Sequence, residues 1–320
     1  MESLPIKQMI KRWPIVKWLL KTIPRKNSID FRSLSQQEKV NLLMNKYERL
    51  VGYRMDINNP QTYTEKIQWY KLFYEGNGNL IRVVDKYLFK GYIKEILGDG
   101  FTIPLYGAYK SLSEIEKGWS DLPNEFVLKS NLSCDGKFIK FIHDKSRIDI
   151  EILKNEIKPW FNEKNLLSYG FCRAYQDGKP MIIAEQYLEN VKDQLYDYKF
   201  FCFDGKPFCC SVNTQHFEKG KERTYPITFY DLNWNRLNVR YGDHEAESCQ
   251  CPKHFKEMLR LSRVLSKDFP QVRVDFFDTD DKLYVAELTL YPGGGYVKYY
   301  PESFNYEMGK HFKLPISEDK

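Results

Sequence analysis

The stretch that most constrains the fold is VRVDFFDTDDKLYVAELTLYPGGG, residues 272–295. Val272, Val274 and Phe276 alternate with Arg273 and Asp275, and the turn DTDDK leads into a second apolar run, LYVAELTLY, that carries Glu287. Period-two alternation broken by polar turn residues predicts a β-hairpin. Each strand places one carboxylate, Asp275 or Glu287, in an otherwise apolar segment, where an unpaired negative charge is expensive to bury. Two readings meet that cost. Either both acids lie on the water-facing side of a surface hairpin, or they share a divalent cation. Hard oxygen ligands on neighbouring strands, with room left for phosphate oxygens, suit Mg2+ carrying a nucleotide.

A chain of 320 residues, 42% hydrophobic and 29% charged, is long enough for two or three packed lobes. Its net charge of +6 points to an anionic partner, whether nucleotide, acidic sugar, lipid headgroup or nucleic acid. Nucleic acid is disfavoured, because the basic residues are interspersed with acids and no recognised binding motif is present. Seven cysteines without framework spacing argue for a reducing compartment and a cytoplasmic location. Residues 5–26 hold seven Lys or Arg and no acid, and Ile6, Ile10, Trp13, Val16, Leu19, Leu20 and Ile23 recur at helical spacing around Pro14. That segment reads either as a helix lying on an anionic membrane, which would place the protein at the inner membrane face, or as an amphipathic helix packed on protein. Its apolar runs are too short to span a bilayer, and it lacks a signal-peptide cleavage site.

Residues 28–95 read as mostly helical. Ser35 with Glu38 makes a capping box, and Thr62 or Thr64 caps a second helix, EKIQWYKLFY, whose Ile67, Tyr70 and Phe73 or Tyr74 form a core stripe. No glycine-rich strand-to-helix turn occurs in the first hundred residues, which excludes a Rossmann fingerprint. RVVDKYLFKGYIKEI, residues 82–96, reads as one helix holding Asp85 and Lys86. Lys129 ends the apolar strand FVLK, and Ser130, Asn131, Ser133 and Gly136 follow in a polar turn whose hydroxyls and backbone N–H groups suit phosphate. Glu185 closes the strand MIIAE. In DYKFFCFDGKPFCCSV, Asp197 and Lys199 fall on the face opposite Tyr198 and Phe200, and DGKP closes a hairpin. A helix from Lys253 to Phe269 precedes the 272–295 hairpin, and a short helical closure follows it.

The ordered set TEKIQWYK, DKY, FVLKSN, IIAEQYLE, DYKFFCFDGKP, YDLNW, VRVDFF and AELTLYPGGG resembles the TupA-like ATP-grasp family of bacterial surface-polysaccharide gene clusters, over residues 62–300. The resemblance implies an α+β ATP-grasp fold, two α+β lobes sandwiching ATP, behind a helical N-terminal extension. Its expected division is 1–80 helical and, in one reading, membrane-peripheral, 81–126 first subdomain, 127–190 mobile lid, and 191–320 C-terminal lobe with the metal-binding hairpin. By similarity, Lys86 and Lys129 bind ATP phosphates with Ser130, Asn131, Ser133 and Gly136. Glu185, Gln186, Tyr187 and Leu188 line the adenine pocket, and Asp197, Lys199 and Arg273 contact phosphate or acyl phosphate. Asp275, Glu287 and Thr289 are the expected Mg2+ ligands. Thr289 stands where most ATP-grasp enzymes carry Asn, and Leu132 stands where the family's phosphate loop commonly has His.

The resemblance further implies an ATP- and Mg2+-dependent ligase. It would join an amine or amino acid to a carboxylate through an acyl phosphate, on a uronic-acid-containing glycan or a lipid-linked precursor. The alternatives are an ATP-dependent kinase acting on a sugar or lipid hydroxyl, a glycosyltransferase, and a non-catalytic nucleotide-binding assembly protein. PGGGYVKYYPE offers a second-substrate site in which Tyr296 and Lys298 meet an anionic or sugar group. His244, Cys249, Cys251 and His254 carry zinc-type donors, at a spacing that fits no common finger.

Overall fold

A computed structural model describes residues 33–315 apart from 77–79, 134–137, 163–171, 176, 189–195, 215–226, 242–247 and 280. The basic segment 5–26, Gly136 and His244 lie outside the described residues.

The chain opens with two helices, α1 (Gln36–Val51) and α2 (Tyr63–Phe73), and both start in full capping boxes, Ser35 with Glu38 and Thr62 with Glu65. In each, the cap hydroxyl accepts an N–H of the first turn while the glutamate accepts the cap residue's own N–H, so two orphan donors are satisfied together. Thr62 is therefore the cap of the second helix. The expected helix over 82–96 is two, α3 (Ile81–Val84) and α4 (Leu88–Leu97). Asp85 breaks it. Its backbone is extended, and its Oδ1 accepts the N–H groups of Tyr87 and Leu88 at 2.8 and 3.1 Å. A short acidic side chain that caps the following turn competes with the continuing helix, so Lys86 stands at a bend.

The first sheet is antiparallel, in the order β1 (Leu105–Tyr109), β4 (Ile182–Glu185), β2 (Phe126–Ser130), β3 (Ile139–Ile142). Its buried side, with Phe126, Leu128, Ile182 and Ala184, packs with Ile115 of α5 (Leu112–Gly118) and with Leu153 and Ile157 of α6 (Ile150–Ile157). Sheet pairing starts at Leu105, ahead of the 127–190 segment.

The second sheet runs β10 (Leu283–Thr289), β9 (Gln271–Asp278), β5 (Tyr196–Phe203), β6 (Lys206–Thr214), β7 (Ile227–Tyr230), also antiparallel. The expected 272–295 hairpin is β9–β10. Alternation sorts the two faces. Phe200 meets Phe276 and Phe255 on the side of α7 (Phe255–Ser266). Met258, Leu261 and Leu265 of that helix are fully buried, each contributing about 1.5–3 kcal/mol of apolar burial. On the other face Phe201 and Phe203 meet Tyr63 of α2. Helix α2 thus shares the main core, whereas Leu43 and Tyr47 of α1 pack in a separate cluster with Met55, Ile57 and Leu72. A two-stranded pair, β8 (Arg240–Tyr241) with β11 (Tyr299–Tyr300), and α8 (Glu302–His311) close the lobe. Gly309 of α8 lies so close to α2 that a Cβ there would fall on the Gln61 carbonyl. No helix among the described residues is long and apolar enough to cross a membrane.

Candidate active site

Three polar clusters lie among the expected residues. In the first, Glu185 ends β4 almost fully buried, and two ammonium groups meet it. Lys90 Nζ lies 2.6 Å from Oε1, and Lys129 pairs with Oε2. Burial pushes the Glu185 carboxyl up, and the two lysines outweigh it and hold the group below the ordinary range. Lys90, which also donates to the Ile103 carbonyl at 2.6 Å, is absent from the expected set. It sits one helical turn after Lys86, and the four-residue spacing is the only signal that could have flagged it. Gln186 N–H donates to the Pro104 carbonyl at 2.9 Å. Tyr187 stands edge-on to Phe141 and His143, with centroids 6.1 and 5.0 Å away, and gives this end of the sheet an aromatic border. Leu188 follows, half-buried.

The second cluster is a knot around Asn131. Its Nδ2 donates to Asp85 Oδ2 at 2.6 Å and to the Lys179 carbonyl at 3.0 Å, while its Oδ1 accepts Met181 N–H at 2.8 Å. The backbone adds Lys86 N–H to the Asn131 carbonyl and Asn131 N–H to the Met181 carbonyl, both at 3.0 Å. The Asn131 amide is fully buried and committed to these bonds. Lys86 Nζ donates to the Ser133 carbonyl, and Ser133 Oγ donates to the Ser130 carbonyl at 2.9 Å. Ser130 Oγ is buried and has no hydrogen-bond partner among the described residues.

The third cluster lies on the face of the second sheet that carries Phe201. Register sets Lys199 opposite Asp275, Asp275 opposite Glu287, and Arg273 opposite Thr289, so one polar row crosses three strands. Arg273 grips Asp275 with two bonds, Nε to Oδ1 at 2.7 Å and a terminal N–H to Oδ2 at 2.6 Å, and donates to Thr289 Oγ1 at 3.2 Å. Lys199 donates to Asp275 Oδ2 at 3.0 Å and to Asp197 Oδ2. Burial raises the Asp275 carboxyl, and Arg273 followed by Lys199 overcomes it and leaves the group below the ordinary range. Asp197 goes the other way. Burial dominates there, the Asp275 charge adds to it, and the Lys199 attraction does not compensate. Asp197 Oδ1 is buried without a hydrogen-bond partner among the described residues.

Glu287, half-buried, makes no hydrogen bond or ion pair with any described residue. A register shift between Val285 and Glu287, where Val285 N–H donates to the Phe101 carbonyl at 2.7 Å, marks a bulge that re-aims its side chain. No three His, Cys, Asp or Glu side chains gather into a metal-holding group among the described residues. Asp275 and Glu287, opposite one another in register, would offer magnesium two carboxylates and leave its other positions to phosphate or water oxygens, with the Asp275 oxygens shared with Arg273 and Lys199. The Thr289 hydroxyl is tied to the row through Arg273. Of the zinc-type donors, the described Cys249, Cys251 and His254 form no metal-holding group: His254 Nδ1 pairs with Asp278 Oδ1 at 2.6 Å, and Cys249 exchanges backbone bonds with the Tyr230 hydroxyl.

Two lobes of antiparallel sheet, with a lysine-rich strand-and-loop end in one and an acid row in the other, define an ATP-grasp fold. The chain belongs to the TupA-like ATP-grasp family, whose model matches residues 65–313. Among solved structures it is similar to the D-alanine–D-alanine ligase of Bacillus anthracis, with 17% identity, 65% of this chain and 57% of that chain covered and a TM-score of 0.36. The Helicobacter pylori D-alanine–D-alanine ligase gives 15%, 73%, 61% and 0.41, and the L-amino acid ligase of Bacillus licheniformis 14%, 67%, 44% and 0.42. The chain thus covers 44% to 61% of those proteins' lengths. No curated protein matched.

Proposed function

We propose that the protein is a Mg-ATP-dependent carboxylate–amine ligase. The observation that carries this reading is the row Asp197, Lys199, Asp275, Arg273 on adjacent strands, with Glu287, which has no hydrogen bond or ion pair among the described residues, beside it. Two cations already oriented by acids meet a phosphoryl group without reorganising, and preorganised charge of this kind carries most of the stabilisation in phosphoryl transfer. Asp275 and Glu287 would hold Mg2+, which supplies charge neutralisation at the transferring group.

The γ-phosphoryl group of ATP passes to a carboxylate oxygen and ADP leaves. An amine then attacks the activated carbonyl carbon, the C–O bond to phosphate breaks, and the amine's proton departs with the products, giving an amide. Lys129, Lys90 and Lys86 face the phosphate chain, Ser130 Oγ offers an unpaired hydroxyl to it, and Tyr187 with its neighbours borders the base. Arg273 and Lys199 orient the phosphoryl oxygens. The lobe carrying 127–190 acts as a lid that excludes water from the acyl phosphate.

For the substrates, the reading is an amino acid or other amine and a uronic-acid-bearing glycan or lipid-linked precursor, handled at the inner face of the membrane. The test is ADP release from Mg-ATP with amino acids paired with glucuronate or galacturonate, beside Glu287→Ala. Release that needs both an amine and a carboxylate, and is lost in the variant, supports the ligase. Phosphate retained on a hydroxyl product identifies a kinase instead, and absence of Mg-ATP binding removes the reading altogether.

A further inference from the structure

Lys71 of α2 is fully buried, yet no carboxylate pairs with it among the described residues. Its ammonium donates to Gln68 Oε1 at 3.1 Å and to the Gly294 carbonyl, and it lies 4.2 Å from the centre of the Tyr296 ring. All three partners are neutral. Gln68 adds bonds to the carbonyls of Gly294 and Gly295 at 3.1 and 2.6 Å, so α2 holds a turn whose three glycines all have positive φ, 55°, 60° and 68°. A lone charge taken out of water is costly unless an opposite charge joins it.

More cations surround the same turn. Lys46 approaches the Tyr296 ring at 4.9 Å, the Arg49 charge is felt by the Tyr296 phenol, and Lys298 Nζ reaches the C-terminal cap of α1 at Gly52. Neither Arg49 nor Lys298 forms an ion pair with a described residue. The acids of these two helices are engaged elsewhere: Glu48 pairs with Arg54, and Glu65 accepts from the Tyr53 hydroxyl and from the Gln61 and Thr62 N–H groups. The Tyr296 hydroxyl is buried with no hydrogen-bond partner among the described residues. Excess positive charge, an unpartnered donor and a backbone stripped of side chains thus meet at the turn that follows the acid row, five residues beyond Thr289.

We propose that this basic face, floored by Lys71 and rimmed by Lys46, Arg49 and Lys298, receives an oxyanion of the second substrate, a carboxylate or a phosphate. The identification of that group with the second substrate rests on the ligase reading; the anion site itself does not. Burial draws the Lys71 ammonium down to about 8, against the opposing influence of Cys172 and with help from Lys46, and an arriving anion would raise it again.

The experiment is calorimetric titration of the full chain with D-glucuronate and, separately, with inorganic phosphate, on the wild type, Lys46→Gln and Lys298→Gln, with Mg-ATP affinity measured in parallel. Saturable binding near ~1 mM, weakened roughly tenfold in each variant while Mg-ATP affinity holds, is the expected result. Glucuronate alone identifies a carboxylate source and phosphate alone a phosphorylated one. Binding of neither anion, or binding that both variants leave unchanged, overturns the proposal. A wild type that binds the anion and not Mg-ATP overturns the ligase reading and leaves the anion site standing.

Discussion

Lys90 Nζ stands 2.6 Å from Glu185 Oε1 while Lys129 closes on the other oxygen, so one buried carboxylate at the end of β4 holds two cations where the first lobe opens. On the proposed reading, the phosphate chain of a nucleotide would compete with this acid for both ammonium groups. Replacing Lys90 with Met leaves Glu185 with one partner. We expect nucleotide affinity to fall about tenfold and stability by about 1–3 kcal/mol, measured by calorimetry and urea unfolding. Unchanged nucleotide affinity would make Lys90 a brace for Glu185 alone.

The same carboxylate sets an acid limit. Its folded value lies below the unfolded one, so its contribution is complete above the unfolded value near pH ~4.3 and drains away as pH falls through the lower, folded value. Glu185→Gln should flatten the acid limb of the unfolding profile. A limb as steep as that of the wild type would show that other carboxylates carry it.

Lys71 behaves in the opposite sense. The folded group releases its proton near 8, the unfolded one near ~10.4, so between these values the unfolded chain binds more protons and stability rises with pH. The full effect is about 3 kcal/mol, read most cleanly at pH ~8 to ~9.5, before tyrosines ionise. Thermal unfolding of Lys71→Met across that window should show a flatter rise than the wild type. Parallel curves would mean that Lys71 does not titrate there.

Arg273→Lys exchanges a two-pronged grip on Asp275 for a single contact and removes the bond to Thr289. Arginine and lysine are not equivalent at such a site. ADP formation should fall by about two orders of magnitude with nucleotide affinity changed far less, a split that steady-state rates and calorimetry separate. An equal loss in both would place Arg273 in ground-state binding.

Gly309→Ala pushes a methyl group onto the backbone carbonyl of Gln61, which α8 cannot avoid without moving away from α2. The expected loss is about 1–3 kcal/mol by urea unfolding. A neutral result would show that α8 shifts freely.

The acid row was legible because Arg273 and Asp275 alternate with Val272, Val274 and Phe276 in β9, as Asp197 and Lys199 alternate with Tyr198 and Phe200 in β5; period two puts such residues on one face. Register was not legible. Only the folded sheet shows that Lys199 divides itself between two aspartates. The break at Asp85 was hidden because residues 82–96 keep helical spacing throughout, and the bonds that end the first helix are local ones made by one side chain. Lys90 and Lys71 were hidden for a related reason. A lysine in an amphipathic helix reads as solvent-facing, and what turns each inward, Glu185 for one and the glycine turn for the other, lies far away in sequence.

The Asn131 knot bears on how the cleft opens. One amide fastens the bend before Lys86 to the ends of β2 and β4, and the bond from Lys86 N–H to the Asn131 carbonyl doubles the tie. Should the first lobe close over nucleotide as proposed, the bend at Lys86 and the start of the serine turn would move together, with the pivot elsewhere in the chain.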